Sequence, residues 1–152
     1  MKYLEYNKAK KEIEKIINNS SNVLEKTVNF LYNSFDHYTW VGIYIVNGEN
    51  LILNNWKGPH ETEHVKIPIG KGVCGSAAAT GKTEIVDDVN KDDRYLSCFV
   101  TTRSEIVVPI KKDGKVIAEI DIDSDIHAAF SENDTFFLEK IADMLSKHIP
   151  NL

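Results

Sequence analysis

Two turn dipeptides flanked by strand-like residues most constrain the fold of this chain. Residues 40–46 are rich in aromatic and β-branched types, Asn47-Gly48 follows them, and residues 51–56 resume the apolar pattern. The arrangement recurs at 104–111 and 116–123, where Asp113-Gly114 supplies the turn. Because short Asn-Gly and Asp-Gly connections join antiparallel strands, the sequence predicts two antiparallel hairpins.

Helical patterns enclose these hairpins at both ends of the chain. Apolar residues recur at helical spacing over 8–35, with a break near 18–21, and again from Ser131, the expected N-cap, to about 148. Between the hairpins we expect a short edge strand over 65–69, a short helix over 74–80, a strand over 84–86 and a long loop over 87–100. The order predicts an α+β domain with a central, mostly antiparallel sheet of five to six strands and terminal helices on one face. At 152 residues the chain is expected to form a single domain over 1–152.

Composition excludes some classes of function. The formal net charge is −5, and no basic stripe with interleaved aromatics suggests nucleic-acid binding. No apolar run is long enough to cross a membrane, and the N-terminus lacks the apolar core of a signal peptide. We therefore expect a cytoplasmic protein whose two cysteines are thiols, with simple burial as their default role.

Two short motifs suggest binding sites, but their context is wrong. Gly70-x-Gly72-x-x-Gly75 matches a dinucleotide fingerprint, yet that device needs a parallel strand–helix–strand unit, so a tight turn is favoured. His60-Glu61-Thr62-Glu63-His64 matches a zinc-peptidase signature, which requires a helix. Since Gly58-Pro59 precedes the segment and Pro68 follows it, no helix is expected, although an incidental metal site at the two histidines stays open.

A third group of residues carries more chemistry. Cys74 is expected at a helix start, where the partial positive charge favours a thiolate, and Cys98 lies in the long loop. Asp121 and Asp123 alternate at period two, so they share one face of a strand, and Glu105 begins the partner strand. Two thiols can cycle through sulfenic acid and disulfide, and clustered carboxylates suit a proton donor or an ammonium site. Buried cysteines and solvated strand ends are the alternative.

Four segments carry a resemblance to a known family. They are WVGIY at 40–44, IPIGKGVCG at 67–75, SEIVVP at 104–109 and IDIDS at 120–124. Together they resemble the free methionine-(R)-sulfoxide reductases, which are single GAF domains. The resemblance runs from about residue 36 to the last helix and includes the spacing of the two cysteines and of the acids that follow them.

The resemblance implies a mechanism without a cofactor or metal. Cys98 would attack the sulfur of free methionine sulfoxide, with an acid from Glu105, Asp121 or Asp123 protonating the departing oxygen. Cys74 would then resolve the Cys98 sulfenic acid as a disulfide, which thioredoxin or another dithiol would reduce. The same three carboxylates would bind the substrate ammonium.

By the same resemblance, Trp40 would contact the substrate methyl group. The chain departs from the family at His64, where many members carry a third cysteine, and around Cys98. A small-molecule-sensing GAF module without catalysis is the alternative function. Which cysteine attacks first, and whether the terminal helices form a homodimer, are left open.

Overall fold

The sheet consists of six strands within the described part of the chain. The structure is a computed structural model that describes residues 5–96 and 99–152. The strands are β1 (Trp40–Asn47), β2 (Asn50–Lys57), β3 (Lys66–Pro68), β4 (Glu84–Val86), β5 (Ser104–Lys112) and β6 (Lys115–Ser124). They lie in the order β3-β2-β1-β6-β5-β4, and every pairing among the described residues is antiparallel. The predicted sheet, both hairpins and the edge position of the Pro68 strand are confirmed.

The β5–β6 hairpin closes as the turn chemistry predicts. Asp113 and Gly114 have φ angles of 53° and 78°, which is the backbone that a two-residue turn between twisted strands requires. Glycine enters this region without strain, and aspartate tolerates it better than most residues. The turn therefore fixes the register in which β5 and β6 pair.

Four helices complete the described chain. They are α1 (Tyr6–Asn19), α2 (Val23–Ser34), α3 (Gly72–Thr80) and α4 (Glu132–Leu145), with 3-10 turns at Val89–Lys91 and Ser146–His148. Helices α2 and α4 pack on the sheet, and α1 packs against both of them, which confirms the predicted placement of the terminal helices. No helix in the described ranges is long and apolar enough to span a membrane.

A buried carboxylate joins the terminal helices. Asp134, 1% exposed, accepts hydrogen bonds at Oδ1 from the hydroxyls of Tyr6 and Tyr38 at 2.9 and 2.7 Å, and its Oδ1 lies 2.9 Å from Nε2 of His37. Its Oδ2 accepts from the backbone N–H of Ser131 at 2.9 Å, which completes a capping box at the predicted N-cap. Hydrogen bonds to a buried charge are strong, so this node ties α1 and the α2–β1 connection to the start of α4.

The two faces of the sheet bury different chemistry. On one face, alternate residues of β1, β5 and β6 form an aliphatic layer against α1, α2 and α4. The opposite face is covered by α3 and the connecting segments, and its apolar members are fewer. They are Trp40, Tyr44, Leu51, Ile67, Val73, Cys74, Ala77, Val86, Val89 and Val107. Between these apolar residues the second face carries acids.

Candidate active site

An acidic stripe runs along β6 on the face covered by α3. Glu119, Asp121 and Asp123 follow one another at period two, and they are 0%, 5% and 4% exposed. Glu105 on β5 pairs with Asp123 across the β5–β6 ladder and is also buried. Glu105, at the start of the strand that pairs with β6, therefore lies on the same face as the two aspartates. Buried carboxylates are costly unless they are paired or protonated, so this stripe needs a physical explanation.

Helix α3 places Cys74 over this stripe. The helix begins at Gly72, two residues before the predicted start, and packs across β5 and β6. The glycine motif permits this close packing: a Cβ on Gly75 would lie 2.7 Å from the Pro68 carbonyl oxygen. The strands before and after α3 lie at opposite edges of an antiparallel sheet, which excludes the parallel unit of a dinucleotide site. The favoured interpretation, a tight turn, is confirmed.

The thiol and two of the acids meet in one small cavity. Cys74 Sγ and a carboxylate oxygen from each of Glu105 and Asp121 all lie within 4.8 Å of one another. The cavity offers about 20 Å³ to the centre of a water molecule, room for about one water. Its lining consists of Tyr44, His64, Ile67, Val73, Cys74, Leu96, Glu105 and Asp121. The closed site therefore holds a thiol and carboxyl groups in contact, with little water.

Burial dominates the protonation of this cluster. It raises the pKa of Glu119, Asp121 and Asp123, and the charge of Asp121 raises those of Glu119 and Asp123 further. Oxygen atoms of all three acids have no hydrogen-bond partner among the described residues. In the described ranges no lysine or arginine forms an ion pair with these acids. The cluster therefore favours protonated carboxyl groups, which can donate protons.

The prediction of a Cys74 thiolate is wrong. Cys74 does lie in the first turn of α3, but it is only 5% exposed. Burial raises the pKa of its thiol well above the ordinary value, and the charges of Asp121, Glu119 and Glu105 raise it further. The nearby acids and the loss of hydration outweigh the helix dipole, which is worth at most about 2 kcal/mol. Cys74 is therefore a protonated thiol in this closed site.

Trp40 lies at the same face, beside the end of the acidic stripe. It pairs with Asp123 across the β1–β6 ladder and stacks on Trp56, with ring centroids 6.2 Å apart. A Cβ on either Gly42 or Gly58 would come within 2.4 Å of its ring, so the two glycines form a slot for the indole. Its buried Nε1 has no hydrogen-bond partner among the described residues. The structure thus places Trp40 next to the acids, outside the lining of the small cavity.

The zinc-peptidase signature is not helical. Residues 58–65 form an irregular segment over the sheet, which the Tyr44 hydroxyl fixes by donating to the His64 carbonyl oxygen at 2.7 Å. The two histidines lie in different surroundings: His64 lines the cavity, whereas the ring of His60 packs 6.5 Å from that of Phe99. Without a helix the motif cannot present its groups as that peptidase chemistry requires.

Two site residues, Glu119 and Tyr44, were not predicted from the sequence, and one predicted residue is not described by the structure. Cys98 falls outside the described residues. Glu119 was not predicted, although it continues the period-two spacing of Asp121 and Asp123 by one step. Tyr44 lines the cavity, and no local signal identifies it because the pairing of distant segments brings it there. His64, at the position where many members of the similar family carry a third cysteine, lines the same cavity.

Comparison with known proteins agrees with this geometry. The GAF domain family matches residues 20–149. The free methionine-R-sulfoxide reductase of Saccharomyces cerevisiae is 44% identical over 112 residues, covering 71% of this chain and 61% of the yeast protein. The Escherichia coli protein of the same name is 32% identical over 124 residues, covering 82% of this chain and 74% of the relative.

A solved structure extends the similarity to the whole fold. The free methionine-R-sulfoxide reductase of Neisseria meningitidis, in complex with its substrate, superposes with a TM-score of 0.89 and 33% identity. The superposition covers 98% of this chain and 96% of the other. The chain belongs to the GAF domain family, and the predicted GAF fold is confirmed. Within that family it is related to the free methionine-R-sulfoxide reductases.

Proposed function

We propose that this protein reduces free L-methionine (R)-S-oxide to methionine with electrons from a dithiol. The observation that carries the proposal is the closed cluster in which Cys74, Glu105 and Asp121 lie within 4.8 Å of one another. A thiol, proton-donating carboxyl groups and a largely dry cavity are what reduction of a sulfoxide needs. Relatives that carry this activity by name supply the substrate class.

The cycle has three balanced steps. First, Cys98 attacks the sulfoxide sulfur and takes its oxygen, so the thiol and sulfoxide become a sulfenic acid and methionine. Second, the Cys74 thiol attacks the Cys98 sulfur, and a disulfide and one water form. Third, a dithiol such as thioredoxin reduces the disulfide to two thiols and is itself oxidised. No cofactor enters any step, and the expected compartment is the reducing cytoplasm.

The raised pKa values explain which groups give protons. A sulfoxide oxygen leaves readily only when it is protonated, and a carboxyl group that stays protonated near neutral pH can supply that proton. Burial raises the pKa of Asp121 and Asp123 in this direction. Asp121 also lines the cavity, so we assign it the role of acid, with Glu105 and Asp123 as its partners.

The substrate's ammonium group fits the same carboxylates once one of them ionises. A free amino acid brings a positive charge to a site where the described residues leave one oxygen, Oδ1, of each of Asp121 and Asp123 without a hydrogen-bond partner. A peptide-bound methionine sulfoxide lacks that charge. The site should therefore select the free amino acid, with Trp40 beside Asp123 contacting the methyl group on the sulfoxide sulfur.

Substrate entry requires the site to open. A cavity with room for about one water cannot hold an amino acid. Leu96 lines this cavity, and its side chain would lie 2.9 Å from a Cβ on Gly72, which places the segment that ends at Leu96 over the start of α3. We propose that this segment moves away when substrate binds and returns to exclude water.

The test measures methionine released from the separate R and S epimers with dithiothreitol and then with thioredoxin. We expect release from the free R epimer and little from the S epimer or from N-acetylmethionine sulfoxide. In a single-turnover assay without added dithiol, Cys98→Ser should release none, whereas Cys74→Ser should release one methionine per site. If Cys74→Ser were inactive and Cys98→Ser active, the roles of the two cysteines would be reversed. No release with either reductant, together with tight binding of a small molecule, would instead identify a sensor.

A further inference from the structure

Glu119 is a buried acid that the reductase cycle has not used. It is 0% exposed, and it lies between Tyr44 on β1 and Pro109 on β5 in the strand ladders. Neither of its carboxyl oxygens has a nitrogen or oxygen hydrogen-bond partner among the described residues. The polar groups that interact with it are Asp121 and the thiol of Cys74. A carboxyl group is rarely buried in this way without a function.

The burial of Cys74 determines which sulfur a reductant can attack. This step rests on the proposed function. In a disulfide between Cys74 and Cys98, the Cys74 sulfur lies beneath α3 and is shielded from any protein dithiol, since the residue is 5% exposed. The reductant must then attack the Cys98 sulfur, and the Cys74 sulfur becomes the leaving group.

Departure as a bare thiolate is unfavourable at this position. Asp121 and Glu119 face the sulfur from β6, and Glu105 faces it from β5, so three acids surround it. Tyr44 on β1 and His64, in the segment over the cavity, are the remaining titratable groups of the lining. Burial and these charges raise the pKa of the Cys74 thiol, and a thiol of high pKa leaves slowly unless it is protonated.

We propose that Glu119 gives a proton to the Cys74 sulfur as the disulfide is reduced and takes it back when the disulfide forms again. In reduction, the dithiol sulfur bonds to Cys98, the S–S bond breaks, and its electron pair goes to Cys74 together with the Glu119 proton. In resolution, the Cys74 thiol returns that proton to the carboxylate. The sulfenic hydroxyl leaves as water with a proton from solvent, which balances the second proton that the dithiol releases to solvent when it is oxidised. The electrons come from the dithiol in every turnover.

Position separates the role of Glu119 from that of Asp121. Asp121 also interacts with the Cys74 thiol, but it lines the substrate cavity, where its proton is assigned to the sulfoxide oxygen. Glu119 is not among the residues that line this cavity. It can therefore keep a proton for Cys74 while substrate and product exchange.

The experiment separates the two halves of the cycle in Glu119→Gln. The enzyme is first oxidised with one equivalent of free methionine (R)-sulfoxide, and released methionine is counted. The disulfide is then reduced with dithiothreitol, the reaction is quenched at short times, and the free thiols of the protein are counted. The rate of reduction at each pH is divided by the concentration of dithiothreitol thiolate, so that the remaining pH dependence belongs to the protein. We expect one methionine per site but reduction slowed about 100-fold at pH 7, the usual effect of losing a general acid.

The matched controls are Glu119→Asp, which keeps a carboxyl group, and Glu49→Gln in the exposed β1–β2 turn. Glu119→Asp should recover part of the rate, and Glu49→Gln should reduce like the wild type. Reduction of Glu119→Gln at the wild-type rate with an unchanged pH profile would overturn the proposal. If the wild-type protein released no methionine in the first half, the proposed function would fail, which is a different result.

Discussion

Replacing Glu119 by glutamine should reduce the loss of stability that the protein shows as the pH rises. Burial raises the pKa of Glu119 well above its ordinary value, so at intermediate pH the folded state holds a proton that the unfolded state has lost. A carboxyl group whose pKa is raised by folding contributes its full stability below the pKa of the unfolded state, near 4.3. That contribution is lost as the pH rises towards the pKa of the folded state. Glutamine does not titrate and is free of this loss.

The size of the effect follows from proton linkage. One proton changes the free energy of unfolding by about 1.4 kcal/mol per pH unit, so between pH 5 and 7 the wild type should lose up to about 2.7 kcal/mol relative to Glu119→Gln. With a urea m-value of about 2 kcal/mol/M, the separation between the two midpoints changes by up to about 1.4 M.

The assay is urea unfolding of the reduced protein, followed by tryptophan fluorescence at several pH values between 4.5 and 7.5. Asp121 and Asp123 are present in both proteins, but Asp121 interacts with Glu119, so the difference reports a coupled group and about 2.7 kcal/mol is its upper limit. Glu49→Gln should show the pH dependence of the wild type. Parallel curves for wild type and Glu119→Gln would refute a protonated, buried Glu119.

Three further substitutions test the fold around the site. Asp134→Asn should lower the free energy of unfolding at pH 7, measured with urea, by about 3 kcal/mol. Burial raises the pKa of Asp134, but its hydrogen bonds together outweigh burial and lower it, so the difference in stability between the two proteins should shrink as the pH falls below about 4. A difference that stayed constant with pH would contradict a charged Asp134. Gly42→Ala should displace the Trp40 ring, lower stability by about 1–3 kcal/mol and raise KM, and an unchanged KM would argue against Trp40 as a substrate contact. Tyr44→Phe removes the hydrogen bond that the Tyr44 hydroxyl donates to the His64 carbonyl oxygen, so it should lower the free energy of unfolding by about 1 kcal/mol and speed amide hydrogen exchange near His64. Unchanged stability and exchange would show that this hydrogen bond does not hold the segment.

Local patterns were sufficient to predict the elements of the fold. The Asp113-Gly114 turn needs only the conformational preferences of its two residues, and the helices follow from apolar spacing. The shared face of Asp121 and Asp123 likewise follows from the pleat of one strand. These features depend on residues close together in sequence, so a single sequence contains them.

The electrostatics of Cys74 could not be predicted in the same way. The position of Cys74 at a helix start is a local feature, and it led to the prediction of a thiolate. The burial of the thiol comes from covering segments such as the one containing Leu96, and its acidic neighbours come from β5 and β6. Glu119 carried a visible signal, the period-two spacing with Asp121. An isolated glutamate in a strand is more commonly solvated, and only the packing of α3 shows that this one is not.

The alternation of β6 also guards the chain against folding incorrectly. Ile120 and Ile122 face the helical layer while Glu119, Asp121 and Asp123 face α3. A shift of β6 by one residue against its neighbours would exchange the two sets and press three carboxyl groups into the aliphatic layer. Such a misaligned strand would lose far more stability than it would if the residues at 119, 121 and 123 were apolar, because no carboxyl group would then be buried in the aliphatic layer. The three acids of β6 therefore also favour the native register of strand pairing during folding.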